Sequence, residues 1–246
     1  MLKNFKLTIE YDGSRYSGWQ KQKNDPTIQG EIEQALATMT GKKVVLNGSG
    51  RTDAGVHALG QVANVLCETA LLPEEVQKGL NSLLSGDIVI KSCECVDETF
   101  HARYDARCKT YSYRILNRPV PAAIGRQYAW QIRKELDLGA MRRAVQHIIG
   151  THDFKAFEGS GSPRSHTMRS VMKAHLSVKH DDYIFFEIQA DGFLRFMVRN
   201  IVGTLADVGH GKTTPDEFNA ILLSKNRNLA GATAPPHGLF LMEVQY

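Results

Sequence analysis

Phe5, Leu7, Ile9 and Tyr11 alternate with Lys6, Thr8 and Glu10, the period-two pattern of a half-buried strand. After a polar, glycine-containing loop, Pro26-Thr27 opens a helix whose apolar positions Ile28, Ile32, Ala35, Leu36 and Met39 recur at helical spacing up to Gly41. Val44-Val45-Leu46 reads as a strand, residues 48–60 as a glycine-rich loop, and residues 61–66 as a further strand. A second helix starts at Pro73, carries Val76, Leu80, Leu83 and Leu84 on one side and stops near Gly86. The strand opened by Ile88-Val89-Ile90 completes the order β-α-β-β-α-β, the ferredoxin-like arrangement.

The second half predicts the same order. Residues 109–115 alternate as a strand, and Leu138, Met141, Val145, Ile148 and Ile149 form a helical stripe ending at Gly150. Strands follow at 168–178 and 183–189, with His180-Asp181-Asp182 as the turn between them. Met197, Val198, Ile201, Leu205 and Val208 mark a long helix. An extra helix has Thr214 and Glu217 spaced as a capping box with Pro215 in its first turn, and residues 239–246 close as a strand. The expectation is an α+β chain of two ferredoxin-like halves: a subdomain over residues 1–104, another over 105–246, a shared central sheet, and a cleft between the halves.

Composition changes this picture little. The chain has 246 residues, 42% hydrophobic and 23% charged, enough for real cores. Thirty Lys and Arg against 26 Asp and Glu give +4, which permits an anionic partner without requiring one. No apolar run is long enough to span a bilayer or to serve as a signal peptide, so a cytoplasmic location is expected. The four cysteines form no CxxC pair and no HxxxH is present, so reduced cysteines and no metal are expected. Gly209-His210-Gly211-Lys212-Thr213 has Ala206 where a P-loop needs its first glycine, and Gly48-Ser49-Gly50 has Asp53 where the dinucleotide fingerprint needs its third. His57, His152 and Asp153 with Ser49 or Ser160 lack a nucleophile elbow.

One stretch carries more chemistry than the rest. In Gly48-Ser49-Gly50-Arg51-Thr52-Asp53-Ala54-Gly55-Val56-His57 a carboxylate sits two residues from an arginine in a tightly turning loop that feeds an apolar strand. The nearby cation favours the ionised carboxylate, and small residues allow close approach of a substrate. Tyr111 and Tyr113 share a strand face with Lys109. Core packing is the ordinary role for such tyrosines; the functional one is a platform for an unstacked base, with Lys109, Arg103, Arg107 and Arg114 on phosphates. Arg195 and Arg199 lie one helical turn apart, and either could snorkel outward or pair with a buried carboxylate such as Asp53.

Gly50-Arg51-Thr52-Asp53-Ala54-Gly55-Val56-His57-Ala58 resembles the signature of the tRNA pseudouridine synthase A family. Further stretches fall in family order: Tyr11-Asp12-Gly13 with Gly18-Trp19-Gln20, Phe100-His101-Ala102-Arg103, Lys109-Thr110-Tyr111-Ser112-Tyr113, Gly150-Thr151-His152-Asp153-Phe154, Phe193-Leu194 with Met197-Val198-Arg199, and Ala234-Pro235-Pro236-His237-Gly238-Leu239. The resemblance implies the pseudouridine synthase fold, a homodimer, no cofactor, and isomerisation of uridine at positions 38, 39 and 40 of the tRNA anticodon stem-loop. It implies Asp53 as nucleophile, Tyr111 packing on the target base, Arg199 as partner of Asp53, and Arg51 holding the displaced nucleotide. It gives Arg195 no role. Two rival readings have their own signatures. A non-catalytic RNA-binding module would bind in a salt-sensitive way and leave the RNA unchanged. A nucleoside or glycoside hydrolase would release free uracil, and needs a second carboxylate that the motif does not offer.

Overall fold

The computed structural model describes residues 1–159, 161, 166–179 and 182–246. The first two residues of the turn read at His180-Asp181-Asp182, and Ser160, lie outside the described residues. The chain divides into two compact units, Met1–Arg107 with Phe240–Tyr246, and Cys108–Leu239.

In the first unit, β1 (Leu2–Tyr11) pairs antiparallel with β3 (His57–Glu68) on one side and β4 (Ile88–Val96) on the other. The short β2 (Leu46–Gly48) lies on the far edge of β3, giving the order β4-β1-β3-β2. Helices α1 (Ile28–Thr40) and α2 (Pro73–Leu83) connect these strands. Thr27 caps α1 by accepting from the Gly30 amide, and Gly41 ends it in the left-handed region at φ 69°. Phe5, Leu7 and Ile9 are fully buried with Ile28, Ile32, Leu36 and Leu80, so the strand and helix periodicities meet in one core.

The strand read at Val44-Val45-Leu46 starts two residues later than expected. The buried Glu33 carboxylate on α1 accepts the Leu46 amide at 3.0 Å, and Val45 is exposed. That side chain fixes where the chain enters the sheet. The last strand, β10 (Leu239–Gln245), places Phe240 and Leu241 parallel to His57 and Ala58 of β3, so residues 240–246 belong to the first unit.

Cys93 and Cys95 sit opposite Leu7 and Phe5 on one face of β4, as alternation required. Among the described residues no disulfide is formed, and burial pushes Cys93 up to about 12, which keeps it protonated and unreactive.

The second unit carries β5 (Cys108–Asn117), β9 (Tyr183–Ala190), β8 (Met168–Lys179) and β7 (Gly150–Asp153) in that order, all antiparallel, with β6 (Trp130–Ile132) parallel to β5. Its helices are α3 (Leu138–Gln146), α4 (Met197–Gly209) and α5 (Pro215–Ser224). The capping box expected on α5 is present, with Thr214 and Glu217 bonded reciprocally. The stripe read as helical to Gly150 stops earlier: α3 ends at Gln146, and Gly150, at φ 103°, opens β7. Ile148 nevertheless stays buried, so the apolar pattern outlasts the helix.

Asp87 ties the Gly13 segment to the start of β4. Its carboxylate accepts from Arg15 Nε at 3.0 Å and Tyr16 Oη at 2.7 Å, and from Ser85 Oγ, while the Asp12 amide bonds its carbonyl. Burial alone would raise the carboxyl pKa; the hydrogen bonds from Ser85, Arg15 and Tyr16 together outweigh it and hold it below the ordinary range. A carboxyl depressed in the folded state stabilises fully above the unfolded pKa of about 3.9, and the stabilisation is lost as pH falls through the folded value. Chemical denaturation between pH 7 and pH 2 should therefore show a shallower acid loss for Asp87→Asn than for the unmodified chain. An identical acid limb would remove this role.

Candidate active site

The Asp53 loop runs from β2 into β3 and is gripped along its length. The Ser49 amide donates to the Val62 carbonyl at 2.8 Å. Gln61, fully buried on β3, accepts from Ser49 Oγ at 2.7 Å and donates through Nε2 to the Gly50 carbonyl at 3.1 Å. The hydroxyls of Tyr11 and Thr52 are 2.7 Å apart. The Trp19 amide donates to the Thr52 carbonyl at 3.1 Å, and the Val56 amide to the Asp53 carbonyl at 3.1 Å, closing the turn.

Two glycines allow the close packing around this loop. A Cβ on Gly18, at φ 93°, would lie 2.6 Å from the Thr52 carbonyl oxygen, and one on Gly13 would lie 2.0 Å from that of Val56. Exposure alternates at the centre of the loop: Arg51 is exposed, Thr52 buried and Asp53 half-buried. Thr52 thus acts as a peg between the exposed Arg51 and the half-buried Asp53.

His57 is a packing residue, 1% exposed and stacked on Phe240 with ring centroids 4.7 Å apart. Its Nδ1 lies 3.1 Å from the Gly13 amide and 3.0 Å from Asp12 Oδ1. A neutral ring accepts from the first; a protonated ring donates to the second. His152 Nε2 bonds the Ile149 carbonyl at 2.9 Å, and Asp153 accepts from the Lys155 amide and from Lys225 Nζ, both at 3.1 Å. These contacts are those of structural residues, and the hydrolytic set stays without support.

In the second unit, Tyr111 lies opposite Ile188 on β5 and meets the Phe193 ring edge-on, centroids 4.8 Å apart at 76°. Tyr113 on the same face is completely buried, and its hydroxyl donates to the Pro235 carbonyl at 2.7 Å. The platform of two tyrosines is therefore corrected: Tyr113 is core, and Tyr111, itself 7% exposed, is the one left to consider.

Arg199, in the first turn of α4, donates through Nε to the Ala234 carbonyl at 2.8 Å, while the Ala234 amide donates to the Arg199 carbonyl at 3.1 Å. Phe196, at φ 61°, precedes the helix with the guanidinium carbons of Arg195 and Arg199 at 4.6 and 5.0 Å from its ring centroid. Arg195 is exposed and Arg199 half-buried. The Ala234 bond fixes Arg199's orientation; Arg195 is placed at the surface.

Among the described residues, no group of three His, Cys, Asp or Glu is placed to hold a metal ion, and no helix is long and apolar enough to cross a membrane. Tyr11 and Gln61 went unnoticed as site residues in the sequence. The available signal was Gln61 itself, a polar side chain in an apolar strand that has to find partners.

A family profile described as tRNA pseudouridine synthase matches residues 7–105 and 144–246. The chain belongs to the tRNA pseudouridine synthase family, an enzyme family of uridine isomerases, and has its α+β fold. It is similar over the full length of both chains to proteins named tRNA pseudouridine synthase A from Acetivibrio thermocellus, at 48% identity, Thermoanaerobacter sp., at 46%, and Clostridium acetobutylicum, at 45%.

Proposed function

We propose that this protein isomerises uridine to pseudouridine at positions 38, 39 and 40 of the tRNA anticodon stem-loop, as a cytoplasmic homodimer. Asp53, on the N-terminal subdomain, is the nucleophile, and Tyr111, on the C-terminal one, packs against the flipped-out base. Arg51 holds the displaced nucleotide, and Arg199 is a further substrate-binding cation. The observation that carries this reading is the pinned loop, in which a buried Thr52 anchors the backbone between an exposed Arg51 and a half-buried Asp53.

The reaction is an atom-balanced isomerisation. The N1–C1′ bond breaks, a C5–C1′ bond forms, the C5 proton leaves and N1 gains one. An ionised carboxylate serves in either of two routes: it traps the positive charge developing at C1′ as an ester, or removes the C2′ proton to give a glycal. A base in a paired stem has to be extruded first, which an aromatic side chain and cations on the backbone assist. Water has to be excluded while the glycosidic bond is open.

Incubation with tRNA labelled at uridine C5 with tritium should release tritium to solvent and leave pseudouridine at those positions. Salt-sensitive binding with no release is the outcome of a non-catalytic RNA-binding module and overturns the proposal. Release of free uracil marks a hydrolase instead.

A further inference from the structure

Asp53 stands in a loop whose shape is set from beneath by side chains that share nothing with substrate chemistry. We infer that Tyr11 and Gln61 are positioning residues for this reaction, acting through Thr52 and Gly50 to fix the backbone that carries Arg51 and Asp53. The inference rests on the reading of Asp53 as nucleophile.

Tyr11, Gln61, Ser49 and Thr52 are 3%, 0%, 0% and 7% exposed, a polar network within the first unit. Each grip falls on the loop beside a functional residue. Gln61 holds the Gly50 carbonyl, immediately before Arg51. Tyr11 holds the Thr52 side chain, between Arg51 and Asp53. Gln61 is itself locked, because its Oε1 accepts from both Ser49 Oγ and the Val62 amide at 3.2 Å. The two grips come from neighbouring strands, β1 and β3, so the loop inherits the rigidity of the sheet.

Satisfying buried polar atoms is the ordinary role of such a network. The placement of these bonds adds a second consequence. Without the Tyr11 hydroxyl, Thr52 keeps its backbone bond to Trp19 and the fold keeps its apolar core, but the peg can rotate. A displacement of about 1 Å at a reacting group costs on the order of a hundredfold in rate. Burial raises the Tyr11 hydroxyl pKa well above its ordinary value, so it stays neutral throughout the working range and its removal leaves the pH profile unchanged.

The test is steady-state tritium release from labelled tRNA by the full chain. Tyr11→Phe should lower kcat by about ten- to a hundredfold, with KM for tRNA within about twofold, the pH profile intact and Tm lowered by only a few degrees, the cost of leaving the buried Thr52 hydroxyl unpaired. Thr52→Ser, which keeps the hydroxyl, should retain most of the rate, whereas Thr52→Val should match Tyr11→Phe. The double variant Tyr11→Phe, Thr52→Val should lose less than the product of the two single losses, because both remove the Tyr11–Thr52 contact while the Tyr11 hydroxyl also bonds Gln61. An unchanged kcat in Tyr11→Phe, or losses that simply multiply in the double variant, would falsify the inference. Full activity in Asp53→Ala removes the underlying reading; an inactive Asp53→Ala beside a fully active Tyr11→Phe removes this inference alone.

Discussion

Asp53→Ala is expected to abolish tritium release from C5-labelled tRNA, by at least about a thousandfold in kcat, while tRNA binding stays measurable. Alanine can neither attack C1′ nor accept the C2′ proton, so both routes are closed. Asp53→Asn makes the sharper comparison, since it keeps size and one acceptor oxygen but replaces the other with a donating NH2 and removes the charge, and it should be as inactive. The loop should survive both changes. Ser49, Gly50, Thr52 and the Asp53 backbone each hold it through bonds that do not involve the Asp53 carboxylate. Thermal unfolding should stay close to that of the unmodified chain, so loss of activity reports chemistry. Turnover at the normal rate by either variant would remove Asp53 from the mechanism.

The largest expected effect on stability is that of Gly203→Ala. In an ordinary helix interior this exchange stabilises by about 1 kcal/mol. Here the sign reverses, because a Cβ at Gly203 would lie 1.7 Å from the Ala232 carbonyl oxygen and 2.9 Å from its carbon. Either α4 or the 231–234 segment has to move, at a cost of roughly 3 kcal/mol, or about 6–12 °C in Tm for a chain of this size. Activity should fall as well, because that segment carries the Ala234 carbonyl that orients Arg199. Gly86→Ala is the matched control. A methyl group at Gly86 would meet no atom within 4 Å, and the φ of this residue is not positive, so the exchange should be neutral or slightly stabilising. A Gly203→Ala protein as stable as this control would show that the segment yields at little cost.

Local chemistry made much of the fold legible. The alternation of Phe5, Leu7, Ile9 and Tyr11 placed β1, and Thr27 with Gly41 bracketed α1, because period and caps act within a few residues. What escaped depends on partners distant in sequence. The start of β2 is set by Glu33 on a preceding helix. Nothing in residues 239–246 announces a parallel pairing with His57 and Ala58. The strand period put Tyr111 and Tyr113 on one face, but only the Pro235 carbonyl and the approach of Gly238 to the Tyr113 ring mark Tyr113 as core. At the site, the loop stood out by its residue types, whereas Tyr11 and Gln61 became visible only through the register that brings β1 and β3 beneath it.

Because residues 240–246 belong to the first unit, the order of synthesis matters. When Arg107 is added to the growing chain, residues 108–239 are still to be made, on the order of ten seconds at usual translation rates. Over that interval the His57 ring has no Phe240 to stack on, the Arg107 amide has no Gln245 carbonyl, and the Ala102 carbonyl has no Tyr246 hydroxyl. The strand leading out of the Asp53 loop is therefore among the last parts of the molecule to be finished. The Tyr11 and Gln61 grips on the loop need only residues made before Arg107, so what the last strand adds is the packing of His57 where β3 begins.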